Sequence, residues 1–181
     1  MASTFHYGTD KLTIGIVLAI ASGKIKGILG DAAIKKIKIS EQQVQQIVEE
    51  NKTVYGINTG FGILANSPIS KEDTATLQYK ILQSHSVGVG DPIWAEVAKL
   101  MLITKVHALA QGFSGVQIAT LQRIIWHIDN DVIPVVPEKG SVGASGDLAP
   151  LAHLFLPLIG LGEVFHKGTR SKAQETLNQF K

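Results

Sequence analysis

Apolar side chains recur every three or four positions through much of the chain, the spacing of helices that bury one face. Between 114 and 130, Val116, Ile118, Leu121, Ile124, Ile125 and Ile128 form a broad apolar stripe, and Ser114 is placed to open that helix. Upstream, Asp91-Pro92 reads as an N-cap followed by a first-turn proline. Ile93, Val97, Leu100, Met101 and Thr104 then fall at helical spacing. Only Gly-Phe-Ser separates the segments 92–111 and 115–130, so the two helices are expected to pack antiparallel. Ser40-Glu-Gln-Gln43 has the form of a capping box and predicts a polar helix running to about Asn51. Ser70-Lys-Glu-Asp73 resembles the same device and precedes 74–86, where Leu77, Ile81 and His85 fall four apart on one face. Strand signals are thin. Val132 to Val136 is β-branched but carries Pro134, and Ile37 to Ile39 and Val164-Phe165 are brief. The expected fold is mainly α, without internal repeats or low-complexity tracts.

Composition narrows the picture. With 45% hydrophobic and 18% charged residues, the 181-residue chain has enough apolar surface for one packed domain over 1–181, or for part of a larger buried assembly. Without cysteine it has neither disulfides nor thiolate metal ligands, which fits a cytoplasmic setting. A net charge of +2 gives no basis for nucleic-acid binding, and Lys35-Lys36-Ile-Lys38 reads as a solvated face. The apolar stretch Ile14 to Ile20 is too short to span a membrane and lacks a signal-peptide layout. The last residues, Ala173 to Lys181, read as the start of a further helix. The chain is therefore expected to be the amino-terminal portion of a longer protein, inactive on its own.

The densest chemistry lies in Gly140-Ser-Val-Gly-Ala-Ser-Gly-Asp-Leu-Ala-Pro150. An Ala-Ser-Gly tripeptide bent sharply enough lets the amide nitrogen of Gly146 attack the carbonyl carbon of Ala144 and close a five-membered ring. Water lost from the ring and from Ser145 leaves an imidazolinone with an exocyclic methylene. That product is an electrophile in a chain that otherwise offers nucleophiles and bases. Gly146 tolerates the required dihedrals, Ala144 adds little bulk, and Ser145 supplies the hydroxyl that leaves. Pro134 and Pro137 prevent a helix from running through, Gly140 and Gly143 give room to turn, and Asp147 reads as the N-cap of a helix from Leu148 with Pro150 in its first turn. A serine hydrolase is the rival reading. Gly143-Ala-Ser145-Gly-Asp147 starts like a nucleophile elbow, but the fifth position is Asp and the residues before it are turn-like.

Two further segments carry signals. Tyr55-Gly-Ile-Asn-Thr-Gly-Phe-Gly62 is a glycine-rich loop whose backbone can approach a ligand closely. Tyr55 stands at its entrance, where a phenol acting as a base near neutral pH needs a positive or hydrogen-bonding environment. Residue 65 is Ala, so the dinucleotide fingerprint fails, and neither a Walker loop nor an H-E-x-x-H pattern occurs. Ser84-His85-Ser86-Val-Gly-Val-Gly90 ends an apolar helical face at a histidine. His107, His127 and His153 are read as helix-packing residues. No metal site is expected.

The segments around Ser145, Tyr55 and Ser84-His85 closely resemble those of the aromatic amino acid ammonia-lyases, whose electrophile is a methylidene-imidazolone (MIO) group. The similarity extends over most of the chain and is strongest from Val54 to Gly168. It implies a helical lyase of the histidase/fumarase type, assembled as a homotetramer with active sites built from several subunits. MIO would form autocatalytically from Ala144, Ser145 and Gly146, with no external cofactor. The substrate would be a small amino acid, with no nucleic-acid or membrane partner. By the same resemblance Tyr55 would remove the β-proton, the backbone around Gly62 would pass close to the substrate, and His85 would hold its ring. A Ser-His pair at 84–85 is similar to the histidine-specific members, which eliminate ammonia from L-histidine to give trans-urocanate. A tyrosine or phenylalanine lyase or aminomutase, and a non-catalytic helical binding protein, stand as alternatives.

Overall fold

The structure, a computed structural model, describes residues 3–50, 52–61, 65–143 and 146–180, and leaves aside the side chains of Lys71 and Glu72. It is mainly α, with seven α-helices and three small sheets among the described residues. Strand β1 (Ser3–Tyr7) pairs in parallel with β2 (Ile25–Leu29), and helix α1 (Ile14–Ala21) crosses between them. Thr13 caps α1 by accepting from the Ile16 amide. The long α2 (Asp31–Glu49) follows, then α3 (Lys71–His85), α4 (Ala95–Leu109) and α5 (Ile118–Asp129). As the short Gly-Phe-Ser link predicts, α4 and α5 pack on each other, but α4 buries Ala98, Leu102, Ile103 and Val106 and leaves Val97 and Thr104 of the expected stripe exposed. Leu102, Ile103 and Val106 join Leu121, Ile124 and Ile128 in one core, which Phe5, Tyr7 and Ile20 complete.

The second half is built on short strands. β3 (Val89–Pro92) runs antiparallel to β5 (Pro137–Lys139). β4 (Ile133–Pro134) pairs with β6 (Glu163–His166), which forms a hairpin with β7 (Thr169–Lys172). Val132, Val164, Ala173 and Leu177 make a small second core that joins this sheet to α7 (Ala173–Asn178). Helix α6 (Leu148–Phe155) packs against α3. No helix among the described residues is long and apolar enough to cross a membrane.

Several boundaries differ from expectation, each for a local reason. Ser40 does not open a helix. Ala33, Ile37 and Ser40 share the buried face of α2, and the Ser40 hydroxyl accepts from the Gly115 amide at 2.9 Å. Ile37 to Ile39 is accordingly helical, not extended. The same anchor holds the chain irregular after Ser114, so α5 starts at Ile118 with Gln117 as its N-cap. Asp91-Pro92 belongs to β3, because a residue before proline favours extended backbone and the β5 ladder lies alongside; α4 starts at Ala95. Ser70 caps α3 as predicted, its hydroxyl accepting from the Asp73 amide at 3.1 Å.

Candidate active site

The β3–β5 ladder sets the geometry of the site. It ties the chain leaving α3 to the chain entering the Gly140–Asp147 loop, and the Ile93 amide reinforces it by donating to the Val136 carbonyl at 2.8 Å. At its end two glycines meet. A Cβ on Gly140 would stand 3.1 Å from the Gly88 Cα and 3.2 Å from the Ala149 Cβ, tighter than most packed atoms sit. Only small residues allow the two segments to approach this closely.

The loop is then closed on itself. Ala144 and Ser145 lie outside the described residues, but both flanks are defined. The Ser141 hydroxyl donates to the Asp147 carboxylate, bracketing the tripeptide. Asp147 holds the N-cap position of α6, yet its side chain makes no capping bond; its backbone is left-handed and its carboxylate is taken by Ser141. Gly146 has φ of +85°, with open space where a Cβ would be. That conformation favours glycine.

Against this loop sits the end of α3. Half-buried Leu77, Ile81 and His85 share one face, as their spacing predicts. The His85 Nδ1 lies 2.9 Å from the Ile81 carbonyl and 3.1 Å from the Ser84 hydroxyl. A carbonyl can only accept, so Nδ1 donates this bond, and in that tautomer Nε2 is the acceptor. A cavity of about 250 Å³ is lined by Ser84, His85 and Val87 on one side and by Gly140, Val142, Leu148 and Ala149 on the other. Two of the three sequence motifs thus converge, although fifty or more residues separate them.

The third motif folds separately. Asn58 and Thr59 are buried and serve the loop itself. Asn58 accepts from the Val54 amide at 2.9 Å and donates to the Lys52 carbonyl at 2.7 Å, while its own carbonyl accepts from the Ile69 amide. This network holds Tyr55 outward, 62% exposed, its ring edge-on to Phe61 at 5.8 Å. Tyr55 does not line the His85 cavity, and Gly62 lies outside the described residues. A larger cavity of about 670 Å³ lies between α1, α4 and the β6–β7 hairpin and holds the Lys99–Asp131 ion pair, but none of the three motifs reaches it.

Sequence reasoning passed over two features of the site. One is the Gly88–Gly140 contact, which no local pattern announces. The other is His153 on α6, whose Nε2 accepts from the Gly88 amide at 3.0 Å. Burial holds its pKa below the ordinary histidine value, which keeps that acceptor available. His127 does sit in the helix packing, fully buried on α5.

Comparison with known proteins bears on this geometry. The family model described as aromatic amino acid lyase matches residues 12–181. The chain is 46% identical over 170 residues to the histidine ammonia-lyase of Caldanaerobacter subterraneus subsp. tengcongensis, a match covering 94% of this chain and 34% of that protein. Among solved structures, the histidine ammonia-lyase from Trypanosoma cruzi superposes with a TM-score of 0.88 at 32% identity, covering 98% of this chain and 34% of that one. The tyrosine aminomutase from Streptomyces globisporus does so with a TM-score of 0.89 at 29% identity, covering 99% and 33%. The chain spans about a third of the length of the curated relatives it matches.

Proposed function

The chain belongs to the aromatic amino acid lyase family, and from that membership we propose that it carries the electrophile loop and the ring-recognition histidine of a histidine ammonia-lyase. One observation carries the reading: the cavity in which Ser84 and His85 face the two flanks of the Ala144-Ser145-Gly146 tripeptide. The left-handed Gly146 and the Ser141–Asp147 bracket fit a tripeptide bent for ring closure. An MIO group formed from Ala144, Ser145 and Gly146, without an external cofactor, would supply an electrophilic carbon to activate the substrate's amine as a leaving group.

The side chains divide the remaining work. His85 Nε2, oriented by the Ile81 carbonyl behind it, accepts the N–H of the substrate imidazole. Val142 and Leu148 give the cavity an apolar wall. Tyr55 removes the β-proton, a poor acid that demands a positioned base. The backbone at Gly62 passes close to the substrate. The products are trans-urocanate and ammonia. The working enzyme is a cytoplasmic homotetramer acting on a free amino acid, and residues 1–181 alone are inactive.

Full-length protein incubated with L-histidine is expected to accumulate urocanate, read by its ultraviolet absorbance, and Tyr55→Phe is expected to abolish this. Unimpaired turnover by Tyr55→Phe would remove the proposed base. Likeness to a tyrosine aminomutase favours, as the second reading, a tyrosine-directed lyase or aminomutase. Coumarate or β-tyrosine formed from tyrosine, with histidine left untouched, would select it.

A further inference from the structure

The chain leaving His85 is folded back by two successive restraints. Ser86 adopts φ −80° and ψ 63°, and the Val87 amide donates to the His85 carbonyl at 2.9 Å, an inverse γ-turn directly after the helix. The next amide, that of Gly88, donates to His153 Nε2 on α6. Helix α6 begins two residues after Gly146, and its Leu148 and Ala149 line the cavity that His85 faces. The hydrogen bond therefore links the element that follows the tripeptide to the turn that carries the ring-binding histidine. Space around it is fully used. A Cβ on Gly88 would stand 3.2 Å from both Cδ2 and Nε2 of the His153 ring, so the imidazole is packed directly against the turn.

We infer that His153 is a positioning residue for the proposed reaction: by holding the Gly88 amide, it sets how far His85 stands from the electrophile loop. The inference rests on the lyase reading above. His153 acts only through the turn and lies outside the set of residues lining the cavity. Its Nε2 must stay unprotonated to accept, so Nδ1 carries the proton of the neutral ring. A side chain with an acceptor at the Nε2 position can replace it, and an apolar side chain of similar size cannot.

The test is a double-mutant cycle in the full-length protein with histidine as substrate. His153→Leu is expected to lower kcat/KM by about tenfold, the effect of one lost hydrogen bond on a placed group. His153→Gln, whose amide oxygen reaches the Nε2 position, should recover most of that loss. In a His85→Leu background, His153→Leu should cost little more, because the residue it acts through is gone. Mass spectrometry of the loop peptide should show the same extent of ring formation in both His153 variants as in the parent. Equal losses in Leu and Gln, or losses that add in full on top of His85→Leu, would overturn the positioning role while leaving the lyase reading standing. A parent protein inert toward histidine would overturn both.

Discussion

Acidification should destabilise this domain, and His127 should carry a large part of the loss. His127 on α5 is buried, with 1% of its surface exposed, and its Nδ1 donates to the Val132 carbonyl at 2.8 Å. Its Nε2 has no hydrogen-bond partner among the described residues. Burial lowers its pKa from 6.5 to about 4; the bond to Val132 opposes that shift, and the nearby Arg123 charge adds to it. The sign follows directly. Above pH 6.5 the ring is neutral folded and unfolded, and stability is complete. Between 6.5 and 4 the unfolded chain takes up a proton that the folded chain refuses, so stability falls as pH falls. At roughly 1.4 kcal/mol per pKa unit, the loss comes to about 3 kcal/mol, a large share of a typical domain's stability. Urea unfolding of the protein and of His127→Asn, which keeps a donor toward Val132, should be compared from about pH 7 to pH 4. Burial also lowers the pKa values of His107 and His153, but their contributions cancel in the difference between the two proteins. His127→Asn should start less stable and lose less. An unchanged pH slope in the variant would refute the reasoning.

Two further outcomes follow from the site. His85→Leu in the full-length protein should lower kcat/KM for histidine by about one to two orders of magnitude relative to tyrosine and phenylalanine, since it leaves an imidazole's polar atoms unpaired; steady-state kinetics with the three amino acids decides, and equal losses would contradict a ring contact. Gly140→Ala should cost about 1–3 kcal/mol in urea unfolding, because its Cβ would press on the Gly88 backbone, and it should depress histidine turnover with it; unchanged stability would mean the two segments separate at little cost.

How much of this was legible before the structure depended on whether the signal was local. The α5 stripe and the Ser70 cap are short-range patterns, and they appear where the spacing puts them; α4 instead buries Ala98, Leu102, Ile103 and Val106, a face offset from the stripe through Val97 and Thr104. Ser40 misled because a capping-box spelling also fits the interior of a helix; the apolar period through Ala33 and Ile37 outweighed it. Strand β1 pairs only with residues some twenty positions later, and β3 only with a segment beyond two helices, so neither shows an alternation of its own. The site divides in the same way. Ser84-His85 and the Gly140 loop were recognisable as motifs, and the structure brings them to one cavity. His153 looked like any packing histidine, because the amide it holds lies 65 residues away. The glycine-rich spelling of the Tyr55 loop announced close backbone approach but not that Asn58 is buried and holds the loop together.

The central claim is that Ala144, Ser145 and Gly146 become an electrophile beside His85. Mass spectrometry of the peptide spanning Ser141 to Leu148, released from active full-length protein, tests it most directly. Ring closure and dehydration of Ser145 predict a peptide lighter by two water molecules, and Ser145→Ala should abolish both the doubly dehydrated species and urocanate formation. A peptide of unmodified mass in protein that still releases ammonia from histidine would contradict the account.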